Sequence, residues 1–181
     1  MNGEVIILTG PPGAGKTTVA ALLATGASVP TVHLTTDLFY RAIRTGFVLP
    51  FLPEAQAQNE VVIDAIVAAV TTFASGGYDV VVDGIVGPWF LPPFRAAAAR
   101  EDLPLSYIVL RPDLDTTLSR ARGRAATELK DVDAITGLHA AFTQLGDLED
   151  HVIDTGDLDA EHTAAEVRRA LASGNHRLIL P

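Results

Sequence analysis

Apolar positions recur along the chain in two rhythms. Short continuous runs at Val5–Leu8, Thr31–Leu34, Tyr78–Val82, Leu105–Leu110 and Val152–Ile153 alternate with longer segments in which apolar residues return every three or four positions. The first rhythm predicts strands, that over Tyr78–Val82 with a β-branched run suited to burial on both faces, and the second predicts amphipathic helices. A helix is predicted over Lys16–Ala24, with Val19, Leu22 and Leu23 on one face and Gly26 as its stop. Another begins at Thr36 or Asp37, either of which suits the N-cap position. A long helix over Glu54–Ala74 turns Val61, Val62, Ile66, Ala69, Val70 and Phe73 inward and Glu60, Asp64 and Thr71 outward. Before it, Phe47–Pro53 is apolar but irregular, because its prolines remove backbone donors.

In the second half, Pro88–Pro93 leads into a helix ending near Arg100, and Asp113 caps a helix over Leu114–Arg122. Helices follow over Val132–Leu145, with Ile135, Leu138, Ala141 and Phe142 on one side, and over Asp159–Ala172, closed by Gly174. The apolar tail Arg177–Pro181 reads as a final docked strand. Strands alternating with helices predict the α/β class, a parallel sheet with right-handed crossovers. Ligands in such sheets bind beyond the carboxyl ends of the strands.

Length and composition narrow the picture. A chain of 181 residues, 48% hydrophobic, is read as a single domain over 1–181 that buries its own core. The absence of cysteine excludes disulfides and thiolate chemistry, and no signal pattern or uninterrupted membrane-length apolar run stands out. A cytoplasmic protein without a membrane partner is expected. The net charge of −9 argues against a nucleic-acid partner. Arg111, Arg120, Arg122 and Arg124 nevertheless lie close together in an acidic chain, which suits either a small anionic ligand or an exposed charged helix face.

The ligand reading gains from one stretch. Gly10, Pro11, Pro12, Gly13, Ala14, Gly15, Lys16 and Thr17 fit G-x-x-x-x-G-K-[ST], with a strand before and a helix after, as a phosphate-binding loop requires. The glycines let the backbone curl so that its amides face phosphate oxygens, and Lys16 supplies a cation for the β- and γ-phosphates. The Thr17 hydroxyl is placed to ligate Mg²⁺, and Thr18 continues the helix whose dipole faces the phosphates.

Two acids stand just after strands. Asp83, behind three valines, is either an acid facing Mg²⁺ or a turn aspartate before Gly84. Asp37 either caps the following helix or orients an acceptor hydroxyl, and the two roles can coexist. Tyr40 and Arg41 follow it closely, and Arg41 or Arg44 is placed to grip a polar acceptor. Arg120 and Arg124 share a helix face and point toward phosphates and adenine; Arg122 is left to solvent. Trp89 and Phe90 either line an acceptor pocket or simply pack. The histidines show no zinc-like spacing, and His33 reads as a strand residue.

The order GPPGAGKTT, TTDLFYRAI, VVVDG, LSRARGR resembles the small P-loop kinases that phosphorylate metabolites, nucleotides or antibiotics. The likeness is nearest to the chloramphenicol phosphotransferase-like group and more distant to gluconate, shikimate and adenylate kinases. It covers nearly the whole chain, although the loop carries prolines where the chloramphenicol enzyme has serines. The resemblance implies a three-layer P-loop fold with strand order 2-3-1-4-5, ATP as donor and Mg²⁺ beside it. It also implies that Asp37 activates the acceptor, that Arg120 and Arg124 edge the nucleotide, and that the lid around 120–132 is short. The expected activity is transfer of the γ-phosphate of ATP to a hydroxyl of a small molecule. A nucleotide or nucleotide-sugar acceptor is the alternative within the fold. An NTPase switch acting on a protein partner is the alternative outside it, against which stands the lack of an Asn/Thr-Lys-x-Asp element for guanine.

Overall fold

The computed structural model describes residues 2–123 and 131–180. Strands β1 (Val5–Thr9), β2 (Thr31–Thr35), β3 (Asp79–Asp83), β4 (Leu105–Leu110) and β5 (Val152–Ile153) form one sheet in the order β2-β3-β1-β4-β5, every pair parallel. This is the expected P-loop arrangement. The strands send alternate residues to opposite faces, and helices cover both, so the inner strands β1, β3 and β4 are buried almost throughout, whereas the edge strands β2 and β5 are half-buried. Ile6, Leu8, Val81, Ile108 and Leu110 pack against Val19, Ala20 and Leu23 of α1 (Lys16–Thr25) and Ala164 and Val167 of the closing helix Ala160–Ser173. Val5, Ile7, Val80, Val82, Leu105 and Tyr107 pack on the other face against the helices Gln56–Ser75 and Leu91–Arg100. Ile7 is fully buried between its neighbours, and its truncation to Ala would cost about 2–5 kcal/mol.

The register sets the site. Leu8 of β1 pairs with Asp83 of β3, and Asp83 pairs with Thr35 of β2, so these strands end level with one another. Three segments therefore emerge together on one rim: the glycine loop after β1, α2 (Thr36–Arg41) after β2, and Gly84 after β3.

Several expectations are corrected. Helix α2 is capped by Thr35, not by Thr36 or Asp37, and Thr35 makes no side-chain capping bond. Helix α3 (Gln56–Ser75) follows a 3-10 turn at Pro53–Ala55 and buries Val62, Ile63, Ile66, Val70 and Ala74. Val61 is 69% exposed and Phe73 39% exposed. Val62, Ile66 and Val70 are buried as expected, Ile63 and Ala74 join them in place of Val61 and Phe73, and Phe73 meets the edge of Tyr78 with ring centroids 6.1 Å apart. By length and composition alone the stretch Pro53–Ser75 is apolar enough to cross a bilayer, although the sequence suggested no such stretch; here its apolar stripe covers the sheet.

After α4 (Leu91–Arg100) and α5 (Leu114–Arg122), α6 (Val132–Ala141) stops short of Leu145. Phe142 ends it, and a 3-10 turn at Gly146–His151 comes next. Strand β5 reaches only Val109 and Leu110, leaving the lower edge of β4 open. The tail beyond α7 (Ala160–Ser173) fills that gap: the Tyr107 amide donates to His176 O at 2.9 Å and the Leu178 amide to Leu105 O at 2.8 Å. The docked tail is therefore antiparallel, at the single bridge Ser106–Arg177 among the described residues.

Candidate active site

The loop between β1 and α1 is shaped by three glycines with left-handed φ: 142° at Gly10, 89° at Gly13 and 85° at Gly15. They are required for different reasons. A Cβ on Gly10 would fall 2.0 Å from Leu110 O, and one on Gly13 2.7 Å from Thr117 O, so both lie against neighbouring backbone. A Cβ on Gly15 would meet nothing within 4 Å. Gly15 thus borders open space at the N-terminus of a ten-residue helix, an end whose dipole favours an anion. Pro11, Pro12, Gly13 and Ala14 are buried, while Thr17 and Thr18 are exposed on the first turn of α1. Lys16, only 6% exposed, curls back over the loop and donates from Nζ to Gly10 O at 3.0 Å and Pro11 O at 2.8 Å.

Behind the loop stands Asp83, 1% exposed. Its Oδ2 accepts from the Thr17 hydroxyl at 2.5 Å, and its Oδ1 lies 2.8 Å from His33 Nε2. A buried carboxylate needs such donors, since burial without them is costly. A hydroxyl and a carboxylate in contact beside a phosphate loop make a hard oxygen donor set of the kind that Mg²⁺ takes. These residues fit a magnesium nucleotide: the glycine curl leaves room, Lys16 gives charge, and Thr17 with Asp83 gives oxygen.

A family profile described as an AAA domain matches residues 5–145, which run from β1 past α6. The chain belongs to this family of P-loop proteins. Its fold is shared with solved structures at low identity. The tunicamycin resistance protein of Deinococcus radiodurans is 18% identical with a TM-score of 0.69, covering 93% of this chain and 95% of its own. Shikimate kinase from Acinetobacter baumannii, solved with shikimate, is 20% identical with a TM-score of 0.66, covering 95% and 94%. A sugar kinase from a Janibacter species is 14% identical with a TM-score of 0.67, covering 94% and 95%. These likenesses show the P-loop kinase fold. Among curated proteins, no sequence matches this AAA-domain chain.

Around α2 and Trp89 the groups are looser. Asp37 lies in the first turn of α2, just past the end of β2, with its side chain 66% exposed and 3.9 Å from Arg41, itself 63% exposed. The preceding Thr36 is buried against Gly84: a Cβ there would come 2.0 Å from Thr36 Oγ1, so α2 starts in direct contact with the segment after Asp83. Burial, reinforced by the Asp37 charge, pushes the Tyr40 phenol up to about 12, so it stays a donor at neutral pH. Arg44 is exposed. Trp89 is 47% exposed and meets Phe142 at 5.9 Å and Phe90 at 6.2 Å, so it both packs and faces outward.

The arginines divide. Arg120 donates from Nη2 to the carbonyls of Thr155, Gly156 and Leu158, at 3.2, 3.4 and 3.3 Å, bracing the loop after β5. Arg111 forks onto Glu149 and also bonds Phe142 O at 2.8 Å, tying the end of β4 to the region after α6. Arg124 and most of the segment expected as a short lid, residues 124–130, lie outside the described residues. The site residue that sequence reasoning missed is His33. Its strand neighbour in register is Val81, and Asp83 lies two residues further on the same face of β3. The expected strand order already put β2 beside β3; it is the register that joins the two residues.

Proposed function

We propose that this protein transfers the γ-phosphate of ATP to a hydroxyl of a small molecule, a metabolite or an antibiotic, and that it works in the cytoplasm as one domain over residues 1–181. The observation that carries the reading is the contact between Thr17 on the first turn of α1 and the buried Asp83. It supports a magnesium triphosphate at the loop, while the family and its kinase neighbours support phosphoryl transfer as the use made of it.

In this reading the backbone from Gly10 to Thr18 and the Lys16 ammonium hold the β- and γ-phosphates, and the dipole of α1 adds to their field. Thr17 and Asp83 would hold Mg²⁺, which when bound neutralises charge on the phosphates. Asp37 orients the acceptor hydroxyl and takes its proton as the bond to phosphorus forms. An exposed carboxylate beside the phosphate end suits that role, because phosphoryl transfer needs alignment and a proton acceptor more than covalent help. Tyr40, Arg41 and Trp89 contribute to the acceptor pocket, with Asp83 at its inner edge. Arg120 and Arg124 are assigned to the nucleotide side.

The test is an ATP-coupled screen over sugars, nucleosides, aminoglycosides and phenicols, with Lys16→Ala as the blank. ADP release that depends on one acceptor class and vanishes in the variant is expected. ATP turnover that ignores every acceptor and instead depends on an added protein partner would overturn the kinase reading in favour of a switch.

A further inference from the structure

The Asp83 carboxylate is gripped at both ends, and the two grips differ in kind. Thr17 belongs to the loop; His33 comes from the middle of the edge strand β2, 50 residues away in sequence from Asp83. The carboxylate is acceptor-only when ionised, so His33 Nε2–H donates to Oδ1 while the Thr17 hydroxyl donates to Oδ2. With its proton committed to Asp83, the Thr17 oxygen has its remaining lone pairs available to a cation. That direction holds only while the carboxylate plane is fixed, and a single hydrogen bond leaves a carboxylate able to rotate about its last bond. The second grip, from His33, removes that freedom. The imidazole side chain is itself only 22% exposed, wedged at the sheet's edge instead of waving in solvent.

We propose that His33 is a positioning residue of the magnesium site: through Asp83 it aims the Thr17 hydroxyl, so that it sets how strongly Mg²⁺ tightens nucleotide binding without touching the nucleotide. The inference rests on the reading of Thr17 and Asp83 as the metal's oxygen donors. It assigns to β2 a role in the phosphate half of the site, in addition to carrying Asp37 at its end. It also makes a distinction among variants. His33→Leu fills the space and removes the donor. His33→Gln keeps an N–H at similar reach.

The experiment is calorimetric titration of ADP into the full chain, in Mg²⁺ and in EDTA, for wild type, His33→Leu, His33→Gln and Lys16→Ala, alongside thermal melts. Wild type is expected to bind more tightly in Mg²⁺. His33→Leu should lose about ten-fold of that gain, the scale of one hydrogen bond to a charged group, while its affinity in EDTA stays unchanged. His33→Gln should restore most of it. Equal Mg²⁺ gains in wild type and His33→Leu would overturn the assignment, as would an equal loss in both buffers, which marks a merely structural role. A gain also missing from wild type, with binding indifferent to Lys16, would overturn the nucleotide reading beneath it.

Discussion

The two ends of the rim are built on different principles. At the phosphate end, groups are buried and interlocked: Asp83 is 1% exposed, Lys16 6%, and backbone carbonyls close on the positions of Gly10 and Gly13. At the end proposed for the acceptor, Asp37 and Arg41 are roughly two-thirds exposed and Trp89 about half. A triphosphate is the same in every such protein, so its site can be fixed in backbone. An acceptor differs from protein to protein, and in the proposed reading it is met by side chains on α2 and the segment after β3. Rigidity at one end and openness at the other are what a kinase with a shared donor and its own acceptor needs.

The sharpest way to break this comparison is Lys16→Ala. Loss of the loop cation should lower transfer by about a thousand-fold, the scale for removing a group aimed at developing charge. Asp37→Asn should come second, lowering kcat by about a hundred-fold or more, while ATP affinity measured by calorimetry stays near wild type. If both variants lose ATP binding alike, the two ends are not separate. Gly10→Ala and Gly15→Ala then sharpen the rigid half. The first adds left-handed strain to a 2.0 Å clash with Leu110 O and should cost about 3 kcal/mol in denaturant unfolding. The second meets open space and should cost about 1–2 kcal/mol from φ strain alone, but it should weaken nucleotide binding more.

Smaller effects belong outside both halves. Trp89→Ala should raise the acceptor KM a few-fold and leave the ATP KM unchanged, read by steady-state kinetics once the screen has supplied an acceptor. The smallest effect lies at the tail. Burial, helped by the nearby His151 ring, holds the His176 imidazole below its usual range. The docked tail therefore binds fewer protons than the free one. Its contribution to stability is complete above the ordinary histidine range and declines as pH falls through that range toward the lowered value. Melting temperatures between about pH 7.5 and 5.5 should fall for wild type more than for His176→Asn.

Legibility in the sequence divides along the same line. The loop could be read because its glycines, lysine and threonine are contiguous, and the strand order came with the resemblance that this motif anchors. Helices were legible in place, although α6 ends at Ala141, and the phase of α3 was legible only in part. Valines at both 61 and 62 fit an apolar stripe, and only the packed sheet decides that Val62, Ile63 and Ile66 turn in while Val61 turns out. The His33–Asp83 pair was invisible for a deeper reason: strand order alone makes β2 and β3 neighbours, but the register that sets His33 opposite Val81, two residues from Asp83, belongs to the sheet and not to either segment. The Arg120 hydrogen bonds to the 155–158 loop have the same origin, since they join residues 35 to 38 apart in sequence.

The central claim is that a magnesium triphosphate occupies the curl from Gly10 to Thr17, with Asp83 behind the metal's threonine. A crystal structure with Mg²⁺ and a non-hydrolysable ATP analogue tests it most directly. The account expects β- and γ-phosphate oxygens against the amides of residues 13–17, the Lys16 ammonium on the phosphates, and the ion on Thr17 Oγ1. A nucleotide bound elsewhere on the sheet, or a metal that ignores both Thr17 and Asp83, would contradict it.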